Sequence, residues 1–276
     1  KTLIEKYPED ATGYFMLGKV NQKLKIYSNA LDMYDKCLLF DKSKLYTYIN
    51  KGVCLTNLKN YKDAIDVYDA GLKLFPKEYI LYLNKGVAFN HLKKYREAIK
   101  CFKKGLLYSK DSSLYNNMAV SYYKLKDYQK SVEYYNEAIL LNPKDPLQLN
   151  NKGVSLKNLE EYDEALMCFN QAIKLNPSDP ISYYNKANTL KSMERYEEAL
   201  EQFDHAINLD KNYFSAFYNK GLILKLLGRY NEAIENFDIC LVLDPKHQNA
   251  YLNKGISLDI MQKYQEALEQ FEKVIN

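Results

Sequence analysis

The chain of 276 residues contains no tryptophan, and its aromatic surface is carried by 27 Tyr and 11 Phe. Rings at that density imply partly wet, ring-sized packing sites that recur along the chain. Histidine is scarce: His91, His205 and His247 stand apart, none with metal-ligand or nucleophile-activating spacing. No catalytic residue, metal or cofactor is therefore expected, and the chain does not read as an enzyme. Cysteine is scarce too, with five residues, an odd number, and no Cys-x-x-Cys pair. They read as small core residues of a reducing compartment, so a cytoplasmic location is expected. No run approaches the roughly 18 apolar residues of a membrane-spanning helix. The 39 basic and 35 acidic residues leave a net charge of only +4, too balanced for a nucleic-acid partner.

What is present is a repeat. Asn-Lys-Gly recurs at Asn50-Lys51-Gly52, Asn84-Lys85-Gly86, Asn151-Lys152-Gly153, Asn219-Lys220-Gly221 and Asn253-Lys254-Gly255, with a period of 34 residues. Gly18, Ala119 and Ala187 fill the same slot in the remaining repeats. A period of this size is the signature of a solenoid. With the small residue numbered position 8, repeats span 11–44, 45–78, 79–111, 112–145, 146–179, 180–213, 214–247 and 248–276. Residues 1–10 read as the tail of a preceding repeat, which with the open last repeat suggests end-to-end self-association.

In this register position 4 is aromatic in seven repeats, and positions 4, 8 and 11 share one face of a first helix. Position 20 is Ala, or Ser131 in one repeat, and position 24 is always Tyr or Phe, on one face of a second helix. Small residues let the two helices approach closely while rings fill the space beside them. Cys37, Cys101, Cys168 and Cys240 fall in second helices. All seven prolines sit at position 32 or position 1, where they punctuate between repeats rather than kink a helix.

The pattern resembles the tetratricopeptide repeat family, whose small residues at positions 8, 20 and 27, aromatic at 24 and proline at 32 are all matched over residues 11–276. The resemblance implies an all-α fold, a right-handed α-solenoid superhelix of antiparallel helix pairs. The departure is position 7, apolar in the family but lysine in six repeats, whose stem is expected to pack while its amine reaches water. The tyrosine at position 17 of every repeat is expected to wedge between neighbouring repeats.

Two stripes of the first helices point to function, on the face opposite the hairpin contact, which in the family lines a concave groove. Position 6 is Asn50, Asn84, Asn117, Asn151, Asn185, Asn219 and Asn253. Asparagine is a mediocre helix former, but a carboxamide can pair with both polar groups of an extended peptide bond. The alternative is that it bonds an adjacent helix. The second stripe is Lys157, Lys191 and Lys225 at position 12, with Lys124 at position 13 of the repeat before. Position 5 lacks the lysine of the family's chaperone carboxylate clamp. These residues predict a scaffold that binds an extended, acidic segment of another protein. The resemblance leaves two alternatives: the substrate-recognition arm of a glycosyltransferase-like enzyme, or a subunit that packs through its array ends.

Overall fold

The computed structural model describes residues 9–275, so the predicted tail of a preceding repeat lies, up to Pro8, outside the described residues. The described residues form sixteen α-helices in consecutive pairs, divided after Pro143 into two compact units. In the first unit α1 (Ala11–Lys23) pairs with α2 (Tyr27–Phe40), α3 (Leu45–Asn57) with α4 (Tyr61–Leu74), α5 (Tyr79–His91) with α6 (Tyr95–Leu106), and α7 (Ser112–Lys124) with α8 (Tyr128–Leu141). In the second, α9 (Pro146–Asn158) pairs with α10 (Tyr162–Leu175), α11 (Pro180–Ser192) with α12 (Tyr196–Leu209), α13 (Phe214–Leu226) with α14 (Tyr230–Leu243), and α15 (Gln248–Ile260) with α16 (Tyr264–Ile275). None of these helices is long and apolar enough to cross a membrane.

Local chemistry sets the ends of the first helices. Asp10, Asp111, Asp145 and Asp179 each accept a backbone N–H from the first turn of the helix that follows, the usual N-cap arrangement. Behind Asp145 and Asp179 come Pro146 and Pro180, whose fixed φ suits the first helical position. Each first helix ends in one motif, with a left-handed residue at position 15 and N–H groups reaching back three and five residues. In the second repeat these are Lys59 N–H to the Thr56 carbonyl and Asn60 N–H to the Leu55 carbonyl. That residue has φ of 58–63° at Lys25, Lys59, Lys93, Lys126, Glu160, Glu194 and Gln262, and only Gly228 is a glycine.

The core of these hairpins is built on rings. Tyr34, Tyr68, Phe102, Tyr135, Phe169, Phe203 and Phe237, all at position 24, are fully buried. Each of six glycines at position 8 lies directly under the ring of its own repeat: a Cβ on Gly52 would stand 2.3 Å from Tyr68, and one on Gly153 2.7 Å from Phe169. The socket for the ring is therefore position 8 across the hairpin, not only position 20 on its own helix. Position 27 serves the contact between repeats. A Cβ on Gly71 would meet Leu81 of the next repeat and Tyr48 of its own, each at 3.1 Å. All five cysteines are buried and free, and burial holds the Cys54 and Cys101 thiols up at about 11.

Two outcomes follow. Gly153→Leu drives a branched side chain into the Phe169 ring and is expected to destabilise by about 1–3 kcal/mol or more. Hydrogen exchange should show the loss in α9 and α10 and their immediate neighbours, and uniform weakening of every repeat would contradict the packing. Lys59→Gly and Glu194→Gly relieve left-handed strain and are each expected to raise stability by about 0.5–1 kcal/mol. Gly228 has no atom within 4 Å of a built Cβ, so Gly228→Lys tests the same strain in reverse, free of any clash. Unchanged urea midpoints in all three would refute the strain.

Candidate protein-binding face

The first helices carry every residue of the two predicted stripes. In the first unit Asn50, Asn84 and Asn117 lie on α3, α5 and α7, all half-buried, and Lys124 ends α7, exposed, its ammonium 5.8 Å from the Tyr123 ring centroid. In the second unit Asn151, Asn185, Asn219 and Asn253 lie on α9, α11, α13 and α15, with Lys157, Lys191 and Lys225 two turns further along the first three. All seven of these are half-buried.

The structure joins the stripes in the second unit. Lys191 Nζ donates to Asn219 Oδ1 at 2.7 Å, and Lys225 Nζ to Asn253 Oδ1 at 2.5 Å, each bond running from one repeat to the next. The amide side of the same carboxamides is held as well. Asn219 Nδ2 donates to the Tyr184 hydroxyl at 3.3 Å and to the Ser215 carbonyl at 2.9 Å. Asn253 Nδ2 donates to the Tyr218 hydroxyl at 3.1 Å and the Asn249 carbonyl at 2.8 Å. Asn185 Nδ2 donates to Asn150 Oδ1 at 3.1 Å. These asparagines lock neighbouring helices together, and at Asn219 and Asn253 both amide hydrogens are already engaged.

The remaining asparagines differ. Asn117 Nδ2 bonds its own helix at Ser113, Asn50 lies against the Tyr34 hydroxyl, and among the described residues no side-chain hydrogen bond engages Asn84 or Asn151. Tyr184 and Tyr218, at position 5, belong to the face and escaped the sequence reading, which examined that position only for lysine. The signal was their place directly before the asparagine row.

Position 24 bears on which repeats carry the lysines. In two of the repeats where it is tyrosine its hydroxyl is bonded to position 12: Tyr34 donates to Gln22 Oε1 at 2.6 Å, and Thr56 bonds Tyr68. Where position 12 is Lys157, Lys191 or Lys225 the ring is Phe169, Phe203 or Phe237, and no hydroxyl competes.

Lysines at position 7 behave differently. In four of the six the amine does not simply reach water but pairs with the aspartate at position 25 of the preceding repeat: Lys51 with Asp35, Lys85 with Asp69 at 2.5 Å, Lys220 with Asp204 at 2.5 Å and Lys254 with Asp238 at 2.7 Å. Their aspartates are about half exposed, so each pair contributes roughly 0.2–1 kcal/mol. Among the described residues no ion pair engages the position-12 lysines Lys157, Lys191 and Lys225. Burial lowers the pKa of Lys157, and burial with the nearby Lys157 charge lowers that of Lys191. The histidines lie elsewhere, packed on rings: His91 on Tyr61, His205 on Tyr183, and His247 on Phe214. The first of these contacts places position 17 of one repeat against the next, as a wedge would.

Comparison with known proteins bears on this architecture. Models of the tetratricopeptide repeat match residues 112–145, 146–179 and 214–247, and further models of this repeat match 55–113, 168–201, 187–228 and 248–276. No curated protein sequence matches the chain. Among solved structures it is similar to YrrB, described as a TPR protein with an unusual peptide-binding site, at 26% identity and a TM-score of 0.57, over 68% of this chain and 97% of that one. It shares its fold with MamA, at 19% identity and a TM-score of 0.55, over 59% of this chain and 90% of that one. A repeat seen first in the spacing of small residues, then in helix pairs, and matched by family models from residue 55 to residue 276, makes this chain a member of the tetratricopeptide repeat family.

Proposed function

We propose that the chain is a protein-interaction scaffold whose first-helix face in the second unit holds an extended, acidic segment of a partner protein. One observation carries the reading: Lys157 and Lys191 are half-buried side by side on neighbouring first helices with no carboxylate among the described residues to neutralise them. Burying two like charges without an anion is costly, and a carboxylate placed between them would favour both charged forms. Asn151 supplies a free carboxamide beside them for the main chain of the same segment. The peptide-binding description of YrrB is consistent with this use of the fold. Asn50, Asn84, Asn117 and Lys124 form a separate row in the first unit, where Asn84 is the free carboxamide.

The test is to identify a bound protein by affinity capture, synthesise the segment it contributes, and titrate that segment. Lys157→Glu with Lys191→Glu is expected to weaken binding at least tenfold and to remove most of its salt dependence. Asn151→Ala alone is expected to cost about 0.5–1.5 kcal/mol, the worth of a hydrogen bond exposed on one side. Equal affinity in parent and both variants, with helicity unchanged, would move the binding surface elsewhere.

A further inference from the structure

The second helices carry their own asymmetry. Most are acidic on their exposed side: α12 presents Glu197, Glu198, Glu201 and Asp204, and α14 presents Glu232, Glu235 and Asp238. In α6 the sign reverses, with Arg96, Lys100, Lys103 and Lys104 exposed against the single carboxylate Glu97. Two cations at the start of acidic second helices are neutralised where they stand: Arg195 grips Glu198 through two bonds of 2.7 Å, and Arg229 grips Glu232 through bonds of 2.7 and 2.6 Å. None of the four cations of α6 forms an ion pair among the described residues.

A groove borders α6 on either side. One, of about 660 Å³, is floored by Leu72, Tyr82, Phe89 and Cys101, with Lys73, Lys100 and Lys104 at its rim. Of its two carboxylates, Asp69 is already held by Lys85, and Glu97 is the single acid of α6. The other, of about 430 Å³, is floored by Ile99, Tyr122 and Leu125, with Arg96, Lys100 and Lys103 at its rim. Its carboxylate Asp127 is likewise occupied, capping α8 through the Lys130 N–H and pairing with the Lys130 ammonium. Lys100 stands on the ridge common to both grooves.

We propose that α6 and its two flanking grooves form a second docking surface, for an acidic peptide segment of another protein that places one apolar side chain in each groove. Charge complementarity selects the acidic partner, and the apolar floors select side chains over a bare polyanion. The rings are poorly placed to stack bases: Lys85 Nζ stands 5.7 Å from the Phe89 ring centroid. Tyr122 has Lys130 Nζ 5.4 Å from its centroid and Tyr134 stacked at 5.2 Å and 5°. Packed helices lie about 8–10 Å apart, so anchors on the two sides of α6 need a similar spacing. A polyproline-II segment advances about 3.1 Å per residue with three residues per turn, which puts residues three apart on one face at about that distance.

The probe is a fluorescein-labelled peptide, Asp-Glu-Leu-Pro-Glu-Leu-Glu-Asp, titrated by anisotropy at near-physiological salt. Saturable binding is expected, with at least tenfold loss in the Lys100→Glu, Lys103→Glu, Lys104→Glu variant at unchanged helicity. A peptide with both leucines replaced by serine should also bind at least tenfold more weakly. The Lys157→Glu, Lys191→Glu, Lys225→Glu variant should keep the parent affinity, which separates this surface from the first-helix face. Absence of saturable binding, affinity retained in the α6 variant, equal binding of the serine peptide, or complete displacement by an oligonucleotide of the same charge would each overturn the proposal.

Discussion

At each repeat two helices cross where a ring at position 24 presses on the backbone of position 8, and the distance between them is the thickness of that ring. The limit is steric: a Cβ on any of the six position-8 glycines would stand 2.3–2.7 Å from the ring and could exist only if the ring moved. Ala119 and Ala187, both fully buried, show that one methyl is absorbed where the neighbours yield. That spacing fixes where positions 5, 6 and 12 of a first helix stand. Bonds such as those from Lys191 to Asn219 and from Tyr184 to Asn219 connect neighbouring repeats only because each hairpin is held at the same separation.

The same spacing makes the lysines of one chain unequal. At position 7 of four repeats the amine falls beside the second helix of the preceding repeat, where an aspartate neutralises it. At position 12 the amines of Lys191 and Lys225 fall beside the next first helix, where each donates to a carboxamide oxygen. A carboxamide satisfies a hydrogen bond but not a charge, so an attraction for anions persists on that face. On α6 the imbalance has another origin, since basic residues there simply outnumber the single acidic one. Both surfaces are thus defined by charge that the fold leaves uncompensated, one on first helices in the second unit and one on a second helix in the first.

Much of the fold could be read from the sequence because its constraints are local and repeat: a small residue at 8, a ring at 24, proline at the junctions. The partners of those residues could not. Lys85 meets Asp69 sixteen positions earlier and Asn219 meets Tyr184 thirty-five positions earlier. Such pairs fall in different repeats, and a pattern aligned within one repeat does not display them. The asparagine row illustrates the cost. Its regularity suggested one role for seven residues, but bonding divides it into locked carboxamides, at Asn219 and Asn253, and free ones, at Asn84 and Asn151. The left-handed residue at position 15 was hidden for a different reason, because seven of the eight repeats place Lys, Glu or Gln where only Gly228 would have advertised the conformation.

The central claim is that groups left unsatisfied by the fold are the ones that bind. Side-chain amide resonances of the asparagines report this directly, followed by NMR as the acidic segment of a captured partner is titrated into the chain. The account predicts large shifts at Asn151, whose carboxamide is free, and smaller ones at Asn219 and Asn253, whose amide hydrogens are already engaged within the fold. Equal shifts at all four asparagines of the second unit, or none at Asn151 while the partner saturates, would contradict it.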